Sequence, residues 1–153
     1  MRGRPGPSWK VFINASPDKV YQYVADVGKH AEWASEADAM VVSAAELGEP
    51  AVGKTYKAEG TLLGKRNPST VTITALDPPR TIEIEAEDSS GISGHVFTLM
   101  PQDGGTLVTR QIYGVKQPLL GPIFFMIFKR KIDVNFNGAL NNLKSRLESQ
   151  ASD

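Results

Sequence analysis

The sequence predicts an α+β fold: a curved antiparallel sheet of about seven strands against one long C-terminal helix, with two short helices after the first strand. Three observations carry that expectation. Residues 117–149 keep a helical pattern with an apolar stripe of Phe125, Phe128, Ile132, Phe136, Leu140, Leu143 and Leu147. Before them comes a long run of short segments in which apolar and polar residues alternate, the period of a half-buried strand. Near the N-terminus, Ser16-Pro17 combines an N-cap residue with proline at the first helical position.

In chain order, residues 9–14 read as the first strand. Ser16 then caps a helix whose apolar face is Val20, Tyr21, Val24 and Val27, with Asp18 at the positive end of its dipole. The helix stops near Val27-Gly28, and a second helical piece covers residues 29–33. Residues 40–46 form a weak strand. Residues 54–62 alternate better, with Tyr56, Ala58, Gly60 and Leu62 on one face. A β-branched strand over 70–76 ends at Asp77-Pro78-Pro79-Arg80. Residues 81–87 are the cleanest strand: Ile82, Ile84 and Ala86 look inward, while Thr81, Glu83, Glu85 and Glu87 meet water. Strands over 95–100 and 106–113 flank a hairpin connection, Pro101 to Gly105.

The first half of the long helix carries a second apolar face, Leu120, Ile123, Phe124 and Ile127, nearly opposite the first at about 100° per residue. The expectation is that the chain's own early loops cover this face and make it the lid of a pocket. A curved sheet and a straight helix diverge at one end, and the gap between them is where a small apolar ligand fits.

The 153 residues suit one domain, 9–149, behind a disordered basic tail, 1–8. Seventeen basic residues balance seventeen acidic ones, so no overall field recruits nucleic acid. With no cysteine, disulfides and thiolate chemistry are excluded. The N-terminal residues lack the apolar stretch of a secretion signal, and the apolar run 119–128 is about half the ~20 residues a membrane span needs, so a cytoplasmic location is expected. Monomer and homodimer both remain open.

His30 and His95 are the two histidines. His30-Ala31-Glu32 matches the first part of a zinc deaminase signature, but no cysteine pair follows it, and no metal or other cofactor is expected. His30 is expected at the surface beside Trp33. His95 shares the inward face of its strand with Phe97 and Leu99, where a histidine can exchange a proton with a bound carbonyl. Arg110 alternates with Val108 and Ile112 and is a candidate partner for a ligand carboxylate or phenolate. The opposite phasing, with Leu107, Thr109, Gln111 and Tyr113 inward, stays open because one bulge reverses it. Trp33 and Tyr56 can stack on a ring-shaped ligand, and Phe124 and Phe128 can line the same cavity. Gly60 to Arg66 resembles a phosphate loop only superficially: the glycine spacing is one short and Arg66 stands where Ser or Thr is required, so a hairpin turn is the better reading.

The run Ser16-Pro17-Asp18-Lys19-Val20-Tyr21-Gln22-Tyr23-Val24-Ala25-Asp26, followed by His30-Ala31-Glu32-Trp33, resembles the first helix pair of the START-like (SRPBCC) superfamily. Within it, the chain looks most like the polyketide cyclase/dehydrase and lipid transport branch. Val52-Gly53, Leu76-Asp77-Pro78-Pro79-Arg80, Gly104-Gly105-Thr106 and Leu140-Asn141-Asn142-Leu143-Lys144 agree with that branch in order and spacing, over residues 9–148. The resemblance implies a helix-grip fold around a hydrophobic cavity. Lipid carriers, aromatase/cyclases, plant hormone receptors and co-chaperones share that fold, so the resemblance is specific for fold and not for function.

Three functional readings follow. The first is a carrier of a small hydrophobic ligand such as a lipid, isoprenoid or polyketide-like compound. The second is a metal-free cyclase or dehydratase that uses His95 and Arg110 as its polar pair. The third is an interaction module that uses the face Leu120, Ile123, Phe124 and Ile127 for a partner, a second copy or transient membrane contact. The first is the expected function.

Overall fold

The computed structural model describes residues 3–34, 41–45, 48–62, 65–117 and 119–151, with the side chains of 41–45, 61, 62, 65, 124 and 151 outside the description. Strand β1 (Arg4–Ile13) leads into helix α1 (Pro17–Ala25) and a 3-10 helix, η1 (Val27–Glu32). Six strands follow: β2 (Val41–Ala45), β3 (Thr55–Leu62), β4 (Lys65–Asp77), β5 (Thr81–Asp88), β6 (Gly91–Gln102) and β7 (Gly105–Lys116). Helix α2 (Gly121–Ala151) ends the described chain.

The seven strands form one antiparallel sheet in the order β1-β7-β6-β5-β4-β3-β2. Sequential strands are neighbours except β1, which crosses to pair with β7 on the far edge. The sheet is curved and open, and with α2 it makes a helix-grip fold.

Local chemistry explains most element ends. Ser16 accepts a hydrogen bond from the Lys19 amide at 3.3 Å, and Pro17 begins α1. β6 and β7 join through the two residues Asp103 and Gly104, with φ of 48° and 79°. Positive φ at both positions is the turn whose twist matches a hairpin, and Asp-Gly is a preferred pair for it. The connection is therefore tighter than the five-residue loop read from the sequence. β3 and β4 pair up to Leu62 and Lys65, which agrees with a hairpin at that point; Leu63 and Gly64 lie outside the described residues. Met40 and Glu46, expected in the second strand, lie outside them as well.

Strand β1 begins at Arg4, so residues 4–8, expected in a disordered tail, extend the sheet. β7 runs to Lys116 and offers a free edge there: Arg4, Pro5 and Ser8 face Gly114, Tyr113 and Gln111 across it. Prolines fit because this is an edge strand, where a missing N–H costs no ladder bond.

The core lies between the inner face of the sheet, α1, η1 and the C-terminal half of α2. Ile13, Ile73, Ile82, Phe97, Leu99 and Val108 from the strands meet Val20 and Val24 of α1 and Leu140, Leu143 and Leu147 of α2. Polar contacts pin that half of α2: Lys144 Nζ donates to the Phe12 carbonyl at 2.8 Å, Asn142 to the Trp33 carbonyl at 3.2 Å, and Glu148 accepts from the Asn14 amide at 2.9 Å. Farther back along the helix, Trp9 stacks on Phe136 at 4.4 Å and donates from Nε1 to Asp133.

Toward its N-terminus α2 leaves the packed core. The stripe residues Phe125 and Phe128 are only half-buried. Among the described residues no loop covers the opposite face: Leu120, Ile123 and Ile127 are 65%, 49% and 70% exposed, and the Phe124 side chain lies outside the described residues. The expectation of a self-covered lid is corrected accordingly. The described segment after the first strand forms α1 and η1, which pack against the sheet and the other end of α2. Among the described residues no helix is long and apolar enough to cross a membrane.

Candidate functional site

Where α2 diverges from the sheet, a cavity of about 520 Å³ opens. Its floor is the inner face of β4 to β7, and the alternation of each strand places the lining residues. Asn67, Ser69 and Val71 come from β4, Ala86 and Asp88 from β5, Ser93 and His95 from β6, and Arg110 and Ile112 from β7. Val27, His30 and Trp33 close one wall, and Phe125, Phe128, Ile132 and Phe136 of α2 form the roof. The same face is apolar where α2 packs and polar where α2 lifts away. Burial against the helix explains the first half, and the open space left by the helix the second.

The register settles the phase of Arg110. From the Gln102–Gly105 pair back to Ser93–Gly114, β6 and β7 pair without interruption, and the only shift between them lies beyond, at Ile92 and Ser93. Parity is therefore kept from the turn to Arg110, which is 8% exposed and faces inward. It sits opposite Phe97 and diagonal to His95, which is itself opposite Ile112.

The Arg110 guanidinium carbon stands 5.1 Å from the Phe97 ring and 4.6 Å from the Phe136 ring, a cation held between two aromatic faces. Its Nη2 and Nε lie 3.0 Å and 3.4 Å from His95 Nδ1. An arginine has no lone pair to give, so Nδ1 accepts and the His95 proton resides on Nε2, where Ser93 Oγ lies 3.3 Å away. Both ring nitrogens are thus engaged. Burial, with the Arg110 charge and His30 nearby, holds the His95 imidazole well below its ordinary range. Burial also lowers the guanidinium to about 9, so it is charged at neutral pH. Among the described residues no carboxylate pairs with it.

His30, expected at the surface, is buried instead and lines the cavity. Its Nε2 lies 2.7 Å from the Val24 carbonyl, to which it donates, and its ring packs on Trp33 at 4.8 Å and Phe97 at 6.1 Å. Burial pushes it down to about 4, against the opposing effect of the Val24 bond, and the Arg110 charge adds to the shift. The sequence carried no signal for this, since a single histidine on a six-residue 3-10 helix has no periodicity to read.

Of the residues singled out in the sequence, Trp33, His95, Arg110 and Phe128 come together on the cavity. Tyr56 and Phe97 do not line it: both are buried in the core, Tyr56 under Lys54 and Phe97 behind the Arg110 guanidinium. The Phe124 side chain, expected on the same cavity, lies outside the described residues. The polar rim of Asn67, Asp88 and Ser90 was not foreseen. Asp88 accepts from Asn67 Nδ2 at 2.8 Å and from the Ser90 amide and hydroxyl, which together hold its carboxyl below the usual range despite partial burial. Trp33 Nε1 is buried with no hydrogen-bond partner among the described residues. No three His, Asp or Glu side chains among them gather as a metal site.

Comparison with solved structures finds the same architecture in proteins of low identity. TTHA0849 from Thermus thermophilus matches with a TM-score of 0.72 at 17% identity, covering 94% of this chain and 97% of the other. Protein CV1439 from Chromobacterium violaceum matches with a TM-score of 0.69 at 20% identity, covering 93% and 96%. The di-domain ARO/CYC StfQ of the steffimycin biosynthetic pathway matches with a TM-score of 0.71 at 16% identity; the match covers 96% of this chain and 51% of StfQ. Comparison with curated proteins finds no match. The family model described as polyketide cyclase/dehydrase and lipid transport matches residues 8–148. With nearly its whole length inside that match, the chain belongs to the polyketide cyclase/dehydrase and lipid transport family.

Proposed function

We propose that this protein binds and carries one small hydrophobic molecule, of lipid, isoprenoid or polyketide-like chemistry, in the cavity between the sheet and α2. The observation that carries the reading is the cavity itself: about 520 Å³, within the ~300–1,000 Å³ of small-molecule sites, roofed by Phe125, Phe128, Ile132 and Phe136. Carriage is favoured over catalysis by the state of the polar groups. A general base works best with a pKa near the working pH and a nitrogen free to take the proton. His95 has both nitrogens engaged and a depressed pKa, and His30 is held at about 4.

The test is displacement of a bound neutral dye, Nile red. Ala86 lines the cavity floor, and Ala86→Phe fills the space above it. The substitution is expected to weaken dye binding by about tenfold or more, a loss of about 1.4 kcal/mol, while the circular dichroism spectrum stays unchanged. Unaltered dye affinity in a folded variant would place the binding elsewhere.

A second reading concerns delivery. Leu119, Leu120, Ile123, Met126 and Ile127 form an exposed apolar patch, Leu120 also lines the cavity, and exposed Lys129, Arg130 and Lys131 follow on the same helix. Apolar side chains beside a basic run suit an anionic membrane surface, at about 1 kcal/mol per basic residue near the headgroups. Co-sedimentation is expected with vesicles containing phosphatidylserine and not with phosphatidylcholine alone. Met126→Ser with Ile127→Ser should abolish it. Dimerisation that the same pair of substitutions breaks, without vesicle binding, would assign the patch to a second copy instead.

A further inference from the structure

Resting on the cavity reading above, we infer that the molecule carried is an acid, seated with its carboxylate on Arg110 and its apolar body under the α2 phenylalanines. The strongest observation is an imbalance. Arg110 brings a full charge into an apolar enclosure, with five N–H donors in a planar fork. Its described partners are one imidazole nitrogen and two ring faces. A buried cation of this kind is ordinarily matched by a carboxylate that forms two parallel hydrogen bonds. Here no described residue supplies one. Asp88, the acid on the cavity wall, is already bonded to Asn67 and Ser90.

The surroundings fit an anion. His95 accepts from the guanidinium and is itself anchored on Ser93, so the fork is held in place without its charge being cancelled. Phe97 and Phe136 pack their rings against the guanidinium, 5.1 Å and 4.6 Å from its central carbon, and neither can accept a hydrogen bond in the plane of its N–H groups. A planar fork of N–H donors favours a planar, bidentate acceptor, which a carboxylate is. Arg110 is moreover the single cationic side chain buried among the described residues; Lys116 and Lys131 also line the cavity but are exposed to water, so the desolvated charge available to a ligand is that of Arg110.

The experiment compares two probes of the same chain length, decanoic acid and methyl decanoate, each displacing Nile red at pH 7. The wild-type protein is expected to prefer the acid by about tenfold or more, within the range for a charge-assisted bidentate pair. Arg110→Gln should erase the preference, read as the ratio of acid to ester affinity within the same variant, because both probes keep the same apolar contacts there. Equal displacement by acid and ester in the wild type would overturn the inference and leave the cavity reading intact. A preference that survives in Arg110→Gln would overturn it as well. Failure of Nile red and both probes to bind would instead sink the cavity reading, and this inference with it. A second measurement stands should Arg110→Gln not fold: the carbon-13 shift of carboxyl-labelled decanoic acid, titrated in complex with the wild-type protein. Its pKa should lie below that of the free acid by about one unit or more, the usual effect of a neighbouring guanidinium, and an unshifted or raised value would overturn the inference.

Discussion

Phe97→Ala is expected to cost about 3–5 kcal/mol of folding stability, the range for removing a buried aromatic ring. Phe97 has no exposed surface and stands at the junction of the core with the cavity. Its ring makes edge contacts with His30 and Trp33, both at 6.1 Å, and covers one face of the Arg110 guanidinium. Deleting the ring leaves a void that the hydrogen-bonded strands around it cannot close, because β6 is paired on both sides. Against a typical total of about 5–15 kcal/mol the loss is large. Urea unfolding followed by tryptophan fluorescence checks it, and a cost below about 1 kcal/mol would mean the ring is not packed as described. Phe97→Leu, which keeps most of the volume, should recover much of the stability.

Acidification from pH 7 to pH 5 is expected to remove about 2 kcal/mol through His30 alone. The unfolded imidazole takes up a proton near 6.5, whereas the folded one stays neutral until about 4. Between those values the unfolded state binds more protons, so stability falls as pH falls. His95 is depressed in the same direction and adds to the slope. The window lies above the carboxylate range, so Asp88, Asp133 and Glu148, whose folded forms favour ionisation, contribute little until lower pH. Unfolding free energies at pH 7, 6 and 5 give the slope directly. His30→Gln should flatten it, whatever that substitution does to stability at pH 7. A wild-type protein equally stable at pH 7 and 5 would show that the histidines are hydrated in the folded state.

The elements that sequence reasoning placed best are those whose signal is local. Ser16-Pro17 defines the start of α1 by a side-chain cap and a fixed φ, both properties of adjacent residues. Asp103-Gly104 turns the last hairpin because both residues accept positive φ. Period-two alternation put His95 and Arg110 on the inward faces of β6 and β7, yet the phase of Arg110 stayed open until the register proved unbroken between it and the turn. Tyr56 and Phe97 mark the limit of that method. Each shares a strand face with true lining residues, and alternation cannot tell how far along the face the helix lifts away. The burial of His30 comes from η1 docking against Phe97 of the sheet, a contact between residues far apart in the chain that leaves no footprint in neighbouring residues.

The sequence alone determined the fold class, the order of the elements, the apolar stripe of α2 and the family to which the chain belongs, since these rest on local propensity, periodicity and ordered turn motifs. Only the tertiary structure decided three further points. It decided where α2 parts from the sheet, and so which inward residues face a cavity of about 520 Å³ and which face core. It decided that Arg110 meets His95, Phe97 and Phe136 and no described carboxylate. It also decided that Leu120, Ile123 and Ile127 stay uncovered among the described residues. The reason is common to all three: each depends on the angle between a helix and a curved sheet, and that angle is set by packing between residues far apart in the chain.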